Sequence, residues 1–233
     1  MLYSAERKGN SMCAIFGSSD VNTFKYLYKE NLCRGDNAFG LLAICGKTMP
    51  FIKKYPRIAN FDNDIKDIHP LITYFAGHTQ APTSSAQTFS EVTSHPFIQY
   101  PWIVAHNGII TNFEELKKLV PDDSYNIVDS SIIPALLKAY SPKFVSKIKL
   151  LELVLEMLKG TYSVWIYNQC THDLFIARCG STLYADLSKG IFSSIMQPQF
   201  DMISLEDGGL YTKTANKLEQ VGTFKQNSPF FIL

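Results

Sequence analysis

Long apolar runs are missing from this 233-residue sequence. No stretch approaches the ~20 residues that a membrane-spanning helix needs. Charge is sparse and balanced: 18% of residues are charged and the net charge is +1, with no block of one sign. That leaves no electrostatic footprint for nucleic acid or an anionic membrane surface. Cys-x-x-Cys spacing is absent, and the five cysteines are an odd number. Neither a disulfide framework nor a metal site is expected, and the chain reads as reduced and cytoplasmic. The first dozen residues are polar and lack the apolar centre of a secretory signal. Repeats and low-complexity linkers are also lacking. What is plentiful is apolar content, at 46%, which suits a packed globular domain and argues against disorder.

The pattern along the chain alternates between strand and helix signals. Ala14 to Phe16 reads as a short strand, and Val21 to Cys33 as a helix ending near Gly35. Leu41 to Cys45 and Leu71 to Ala76 read as strands closed by Gly46 and Gly77, and Thr83 to Ser94 as a loop. Trp102 to Ala105 is a buried strand running into His106-Asn107-Gly108. Asn112 is placed to cap a helix over Phe113 to Leu119, and Asp129 to cap another over Ser130 to Tyr140. Lys147 to Lys159 carries Leu150, Leu151, Val154, Leu155 and Leu158 on one helical face, with Gly160 as its stop. Beyond Gly160 the signals are short β-rich runs separated by turn residues, at 161–168, 174–178, 191–196, 202–204, 210–214 and 220–224. This predicts an α+β domain with helices layered on sheets.

Cys13 is the residue with the most chemistry. It follows Met12 and opens the apolar run Ala14-Ile15-Phe16-Gly17. A cysteine at a chain terminus carries a nucleophilic thiol and its own amine, a base with a reference pKa of about 8. Behind Met12 that amine is an amide and accepts no proton. Read singly, the motifs have ordinary explanations. A cysteine in an apolar run packs; His-Asn-Gly is a turn; Asp129 is a cap; Arg34 is structural; His95 and His106 are satisfied histidines outside any catalytic set.

Read together and in order, they match a family. Met12-Cys13-Ala14-Ile15-Phe16-Gly17, Arg34-Gly35 with Gly40, Gly77-His78-Thr79-Gln80 with Thr83, His95-Pro96-Phe97, His106-Asn107-Gly108-Ile109-Ile110 with Asn112 and Leu116, and Asp129-Ser130-Ser131 recur at family-like spacing. Gly160-Thr161-Tyr162-Ser163 and Ala177-Arg178-Cys179-Gly180-Ser181 extend the match, which runs from Cys13 to about Thr214. The sequence resembles the class II glutamine amidotransferases, the N-terminal-nucleophile glutaminases. The resemblance implies a four-layer αββα sandwich, with 13–233 as one domain and 1–12 as a leader, a propeptide or an early start.

It also implies roles. Cys13 would attack the side-chain amide of glutamine, with its own amine moving the proton. Asn107 and the Gly108 N–H would hold the oxyanion, and Asp129 the substrate's α-amino group. Thr83 keeps its position for a carboxylate oxygen. Position 80 departs from the pattern: Gln80 stands where the family has an arginine that forks onto the α-carboxylate. Three outcomes stay open: weaker glutamine binding, a substitute cation such as Arg34, or a different amide as substrate. The leader leaves three more: a start at Met12, self-cleavage, or retention in an inactive protein.

No metal or organic cofactor is implied. The length leaves no room for a fused synthase domain, so the ammonia is expected to pass to a partner subunit or to be released free. Two rival readings remain: a hydrolase of another amide, and a degenerate binding or regulatory domain.

Overall fold

A computed structural model describes residues 12–57, 60–81 and 89–226. The leader apart from Met12, the candidate residue Thr83, and the first part of the expected 83–94 loop all lie outside the described residues.

The chain opens with β1 (Ala14–Ser18) and α1 (Val21–Asn31), followed by β2 (Ala38–Ile44), β3 (Phe51–Tyr55) and the single turn α2 (Asp62–Ile65). Next come β4 (Tyr74–Gln80), β5 (Phe97–Gln99) and β6 (Trp102–Ile110). Helices α3 (Phe113–Lys117), α4 (Ile132–Tyr140) and α5 (Lys147–Met157) then run consecutively. The rest is strand: β7 (Gly160–Asn168), β8 (Leu174–Cys179), β9 (Tyr184–Asp186), β10 (Ile191–Ser193), β11 (Ile203–Ser204), β12 (Gly209–Thr214) and β13 (Lys217–Thr223).

The strands form two antiparallel sheets, in the orders β11-β9-β10-β1-β4-β2-β3 and β13-β12-β8-β7-β6-β5. Three apolar clusters separate four layers. Phe16, Phe39 and Phe75 of the first sheet meet Phe24 and Leu27 of α1 and Phe61 and Ile65 at α2. Ile15, Leu42 and Ala76 of that sheet face Ile103, Ala105, Trp165 and Ile176 of the second. On the far side, Val104, Val164 and Ala177 meet Leu116, Leu136, Leu151 and Leu155 of the last three helices. The architecture is the four-layer αββα sandwich.

Local chemistry explains the boundaries. Asp20 caps α1 by accepting from the Thr23 N–H at 2.6 Å. Phe24, Leu27 and Tyr28 then fall on one buried face. Burying Phe24 and Leu27 contributes about 2 kcal/mol each. Ser146 caps α5 in the same way.

Several local expectations are revised. Leu71 lies in an exposed 3-10 turn, and β4 runs on through Gly77 to Gln80. Gly77 belongs inside the strand because the Phe16 ring lies over it; a Cβ there would sit 2.5 Å from that ring. Asn112 stands at the N-cap position of α3, as expected, but its side chain does not cap the helix. Its amide donates to the Met157 carbonyl and its carbonyl accepts from the Lys159 N–H, both at 2.9 Å. Asp129 does not cap a helix either, since its carboxylate is engaged by β6. Gly160, at φ +134°, opens β7 instead of stopping α5, which is capped at Leu158. Among the described residues, no helix is long and apolar enough to cross a membrane.

Candidate active site

His106-Asn107-Gly108 is strand, not turn. All of β6 pairs with β7, with Asn107 opposite Ser163 and Gly108 opposite Tyr162. Gly108 adopts φ +142°, and a Cβ on it would approach the Thr161 carbonyl oxygen to 2.0 Å. Only glycine fits there, and the residue stands half-buried in the lining of a cavity.

β1 and β6 belong to different sheets, and the sandwich brings their ends together. Cys13, Asn107 and Gly108 line one cavity of about 350 Å³, along with Ile109, Thr161 and Thr182. Met12 forms part of its wall too. The Cys13 thiol donates weakly to the Ala81 carbonyl at 3.9 Å. Burial pushes this thiol up to about 11, and the negative charge of Asp129 adds to the effect against the opposing pulls of Ala81 and Arg34. The thiol is therefore neutral at neutral pH and needs a base to act as nucleophile.

The Asn107 amide is buried and reaches three hydroxyls: Ser163 at 3.3 Å, Ser181 at 3.4 Å and Ser194 at 3.5 Å. Ser194 also accepts from the Ile15 N–H at 2.9 Å. One serine thus ties the strand of the nucleophile to the strand of the amide. On the opposite wall, Asp207 grips Arg178 through two 3.0 Å contacts and accepts from the Gly180 N–H at 2.7 Å. That clamp holds the turn bearing Ser181 and Thr182.

The remaining candidates are placed differently. Arg34 lies behind the nucleophile. Its Nε donates to the Cys13 carbonyl at 2.9 Å and its Nη1 to Thr182 Oγ1 at 3.2 Å. Asp129 is half-buried and stands outside the cavity lining; its Oδ2 accepts from the Ile110 N–H at 2.9 Å. Gln80 is not brought into the cavity lining. Its side chain is buried and donates to the Thr93 carbonyl at 3.3 Å.

Around β6 gather three buried imidazoles: His78 on β4 of the facing sheet, His95 ahead of β5, and His106 on β6 itself. The His78 and His95 rings lie 3.9 Å apart by centroid, and His95 and His106 6.5 Å. His78 Nε2 donates to the His106 carbonyl at 3.0 Å. Burial drives all three toward the neutral form, His78 to about 3. A histidine depressed in the folded state gives stability that is present above the unfolded value near 6.5 and lost as pH falls toward 3. Urea unfolding at a series of pH values should show stability dropping below pH 6.5, with His78 alone contributing about 1.4 kcal/mol per pH unit. His78→Gln should flatten that slope.

The sequence places Ser163 and Ser181 in family-like segments without pointing to their contact with Asn107, and it does not single out Thr182 or Ser194. No motif announces a serine that supports an amide. The signal lay only in the register of β6 with β7 and in the approach of the two sheets.

A nucleophile candidate at the head of the first strand of a two-sheet αββα sandwich, facing an Asn-Gly pair on the other sheet, defines the N-terminal-nucleophile class of fold. Residues 83–198 match the family model of the glutamine amidotransferase domain. Glutamine–fructose-6-phosphate aminotransferase (isomerizing) of Francisella tularensis is 31% identical over 191 residues, covering 74% of this chain and 29% of that protein. The chain thus spans less than a third of that relative's length. Among solved structures, the glutamine phosphoribosylpyrophosphate amidotransferase of B. subtilis superposes with a TM-score of 0.69 at 16% identity, over 92% of this chain and 50% of that one. A glutamine aminotransferase class-II domain protein of Silicibacter pomeroyi gives 0.55 at 14% identity, over 92% of this chain and all of that one. The chain carries a glutamine amidotransferase domain of the class II, N-terminal-nucleophile family.

Proposed function

We propose that this domain hydrolyses L-glutamine to glutamate and ammonia through Cys13, and that the ammonia serves a synthase on a partner subunit. The observation that carries the reading is the convergence of Cys13, Asn107 and Gly108 on one cavity from two different sheets. Once residues 1–12 are removed and Cys13 is terminal, the thiol attacks the side-chain amide carbon while the freed amine takes its proton and returns it to the leaving ammonia. Asn107 Nδ2 and the Gly108 N–H donate to the oxyanion. Water then clears the thioester. Asp129, fixed beside Ile110, faces the substrate's ammonium group. Arg34 holds the carbonyl of the nucleophile and so restrains where the thiol points.

A second reading has a specific observation behind it. Among the described residues no cationic side chain lines the cavity, Gln80 is turned to Thr93, and the segment 82–88 contains no Lys or Arg. An α-carboxylate would rely on hydroxyls such as Thr83, with Arg34 in support from the rear. This favours weaker demand for the carboxylate, and so a related amide as substrate.

One experiment separates the two. Ammonia release is measured from L-glutamine and from amides lacking the α-carboxylate, with peptide mapping of a glutamine-analogue electrophile. Preference for glutamine by tenfold or more and labelling at Cys13 are expected. Equal use of the carboxylate-free amides would support the second reading, and labelling elsewhere would exclude Cys13.

A further inference from the structure

Asp129 is held by an unusual set of donors. Its Oδ2 accepts from the Ile110 N–H at 2.9 Å, and its Oδ1 accepts from the Ser130 N–H at 2.7 Å and the Ser130 hydroxyl at 3.2 Å. A carboxylate only accepts, so the hydroxyl hydrogen points at Asp129 and the Ser130 lone pair is free. His106 Nδ1 meets that oxygen at 2.8 Å. The imidazole therefore carries its proton on Nδ1 and donates it to Ser130. Its other nitrogen, Nε2, is buried without a partner. Both residues are about 2% exposed. His106 directly precedes Asn107, and the chain of contacts thus starts on the strand that bears the candidate oxyanion donors and ends on the carboxylate.

We propose that His106 and Ser130 are a positioning pair that sets the Asp129 carboxylate for the ammonium group of the substrate. This rests on the reading of Asp129 given above. The imidazole fixes the Ser130 rotamer, and Ser130 fixes Oδ1. Because Oδ2 is fixed by Ile110, two residues after Gly108, ammonium recognition and oxyanion binding share one rigid strand. The specificity for an α-amino group then depends on a histidine and a serine that touch no substrate.

The test is calorimetric titration of the full chain with L-glutamate, the product that keeps the ammonium, and with glutarate, which lacks it. Wild type should bind L-glutamate more tightly. Ser130→Ala should weaken L-glutamate about tenfold, the size of one lost hydrogen bond to a charged group, and leave glutarate within about twofold. Ser130→Thr keeps the hydroxyl and should restore L-glutamate affinity. His106→Asn places a donor near the Nδ1 position and should bind as wild type, whereas His106→Gln, which moves the donor to the Nε2 side, should behave like Ser130→Ala. This second pair decides the matter if Ser130→Ala fails to fold. Equal losses for both ligands, or none for L-glutamate, would overturn the positioning role. A wild type that binds glutarate as tightly as L-glutamate would instead remove the assigned role of Asp129, and the pair's role with it.

Discussion

A chain beginning at Cys13 should hydrolyse glutamine about a thousand times faster than one that keeps residues 1 to 12, the middle of the range for losing a positioned general base. Two features lead there. Burial holds the Cys13 thiol near 11, so almost no thiolate forms spontaneously at neutral pH. In the longer chain the nearest amine is an amide, and Met12 stands in the cavity wall. Freeing the terminus supplies a base with a reference pKa of about 8 and clears part of the wall at the same step. The pH profile carries the sign of the mechanism. The amine must be unprotonated, so kcat/KM should rise about tenfold per pH unit below its pKa and level off above it. A rate that keeps climbing toward pH 11 would mean that the thiolate must form first and that the amine is not the base. Steady-state ammonia release on both chains, with intact mass confirming each terminus, checks both points.

Asn107→Ala should lower kcat by about a hundred- to a thousand-fold with little change in KM, as expected for a donor used only once the oxyanion forms. The side chain it removes is packed among Ser163, Ser181 and Ser194, so the variant leaves three hydroxyls to rearrange. Asn107→Asp keeps the volume while replacing the donor with an acceptor, and should be at least as slow. Pre-steady-state measurement of acylation by a chromogenic glutamine anilide isolates the affected step. An unchanged acylation rate in Asn107→Ala would move the oxyanion site elsewhere.

Part of this chemistry could be read in advance from the residues alone. Cys13, Asn107, Gly108 and Asp129 stood out in the sequence as candidates because the chemistry asks for particular residue types in a particular order, and the structure brings the first three to one cavity. The layered α+β architecture followed from apolar periodicity, most clearly in α5. Local signals failed where tertiary packing set the conformation. Asn-Gly is a strong turn signal, yet here it lies within β6 because β7 supplies partners along its whole length. Gly77 looked like a stop, but it is the space into which the Phe16 ring fits. The edge strand β3 went unnoticed because Lys53 and Lys54 interrupt its apolar pattern. Gln80 was recognisable as a departure, but where its side chain turns depends on the Thr93 carbonyl opposite it. No spacing rule encodes that.

The alternation of side chains along β6 has a consequence for how this locus can vary in length. Ile103, Ala105 and Asn107 point toward the facing sheet, while Trp102, Val104 and His106 point toward the helices. Inserting or deleting a single residue between 102 and 106 would exchange the two faces. The amide would then be delivered to the helical layer and the imidazole to the cavity. Changes in length are compatible with this fold only in the connections on either side of the strand, which makes β6 a fixed ruler between them.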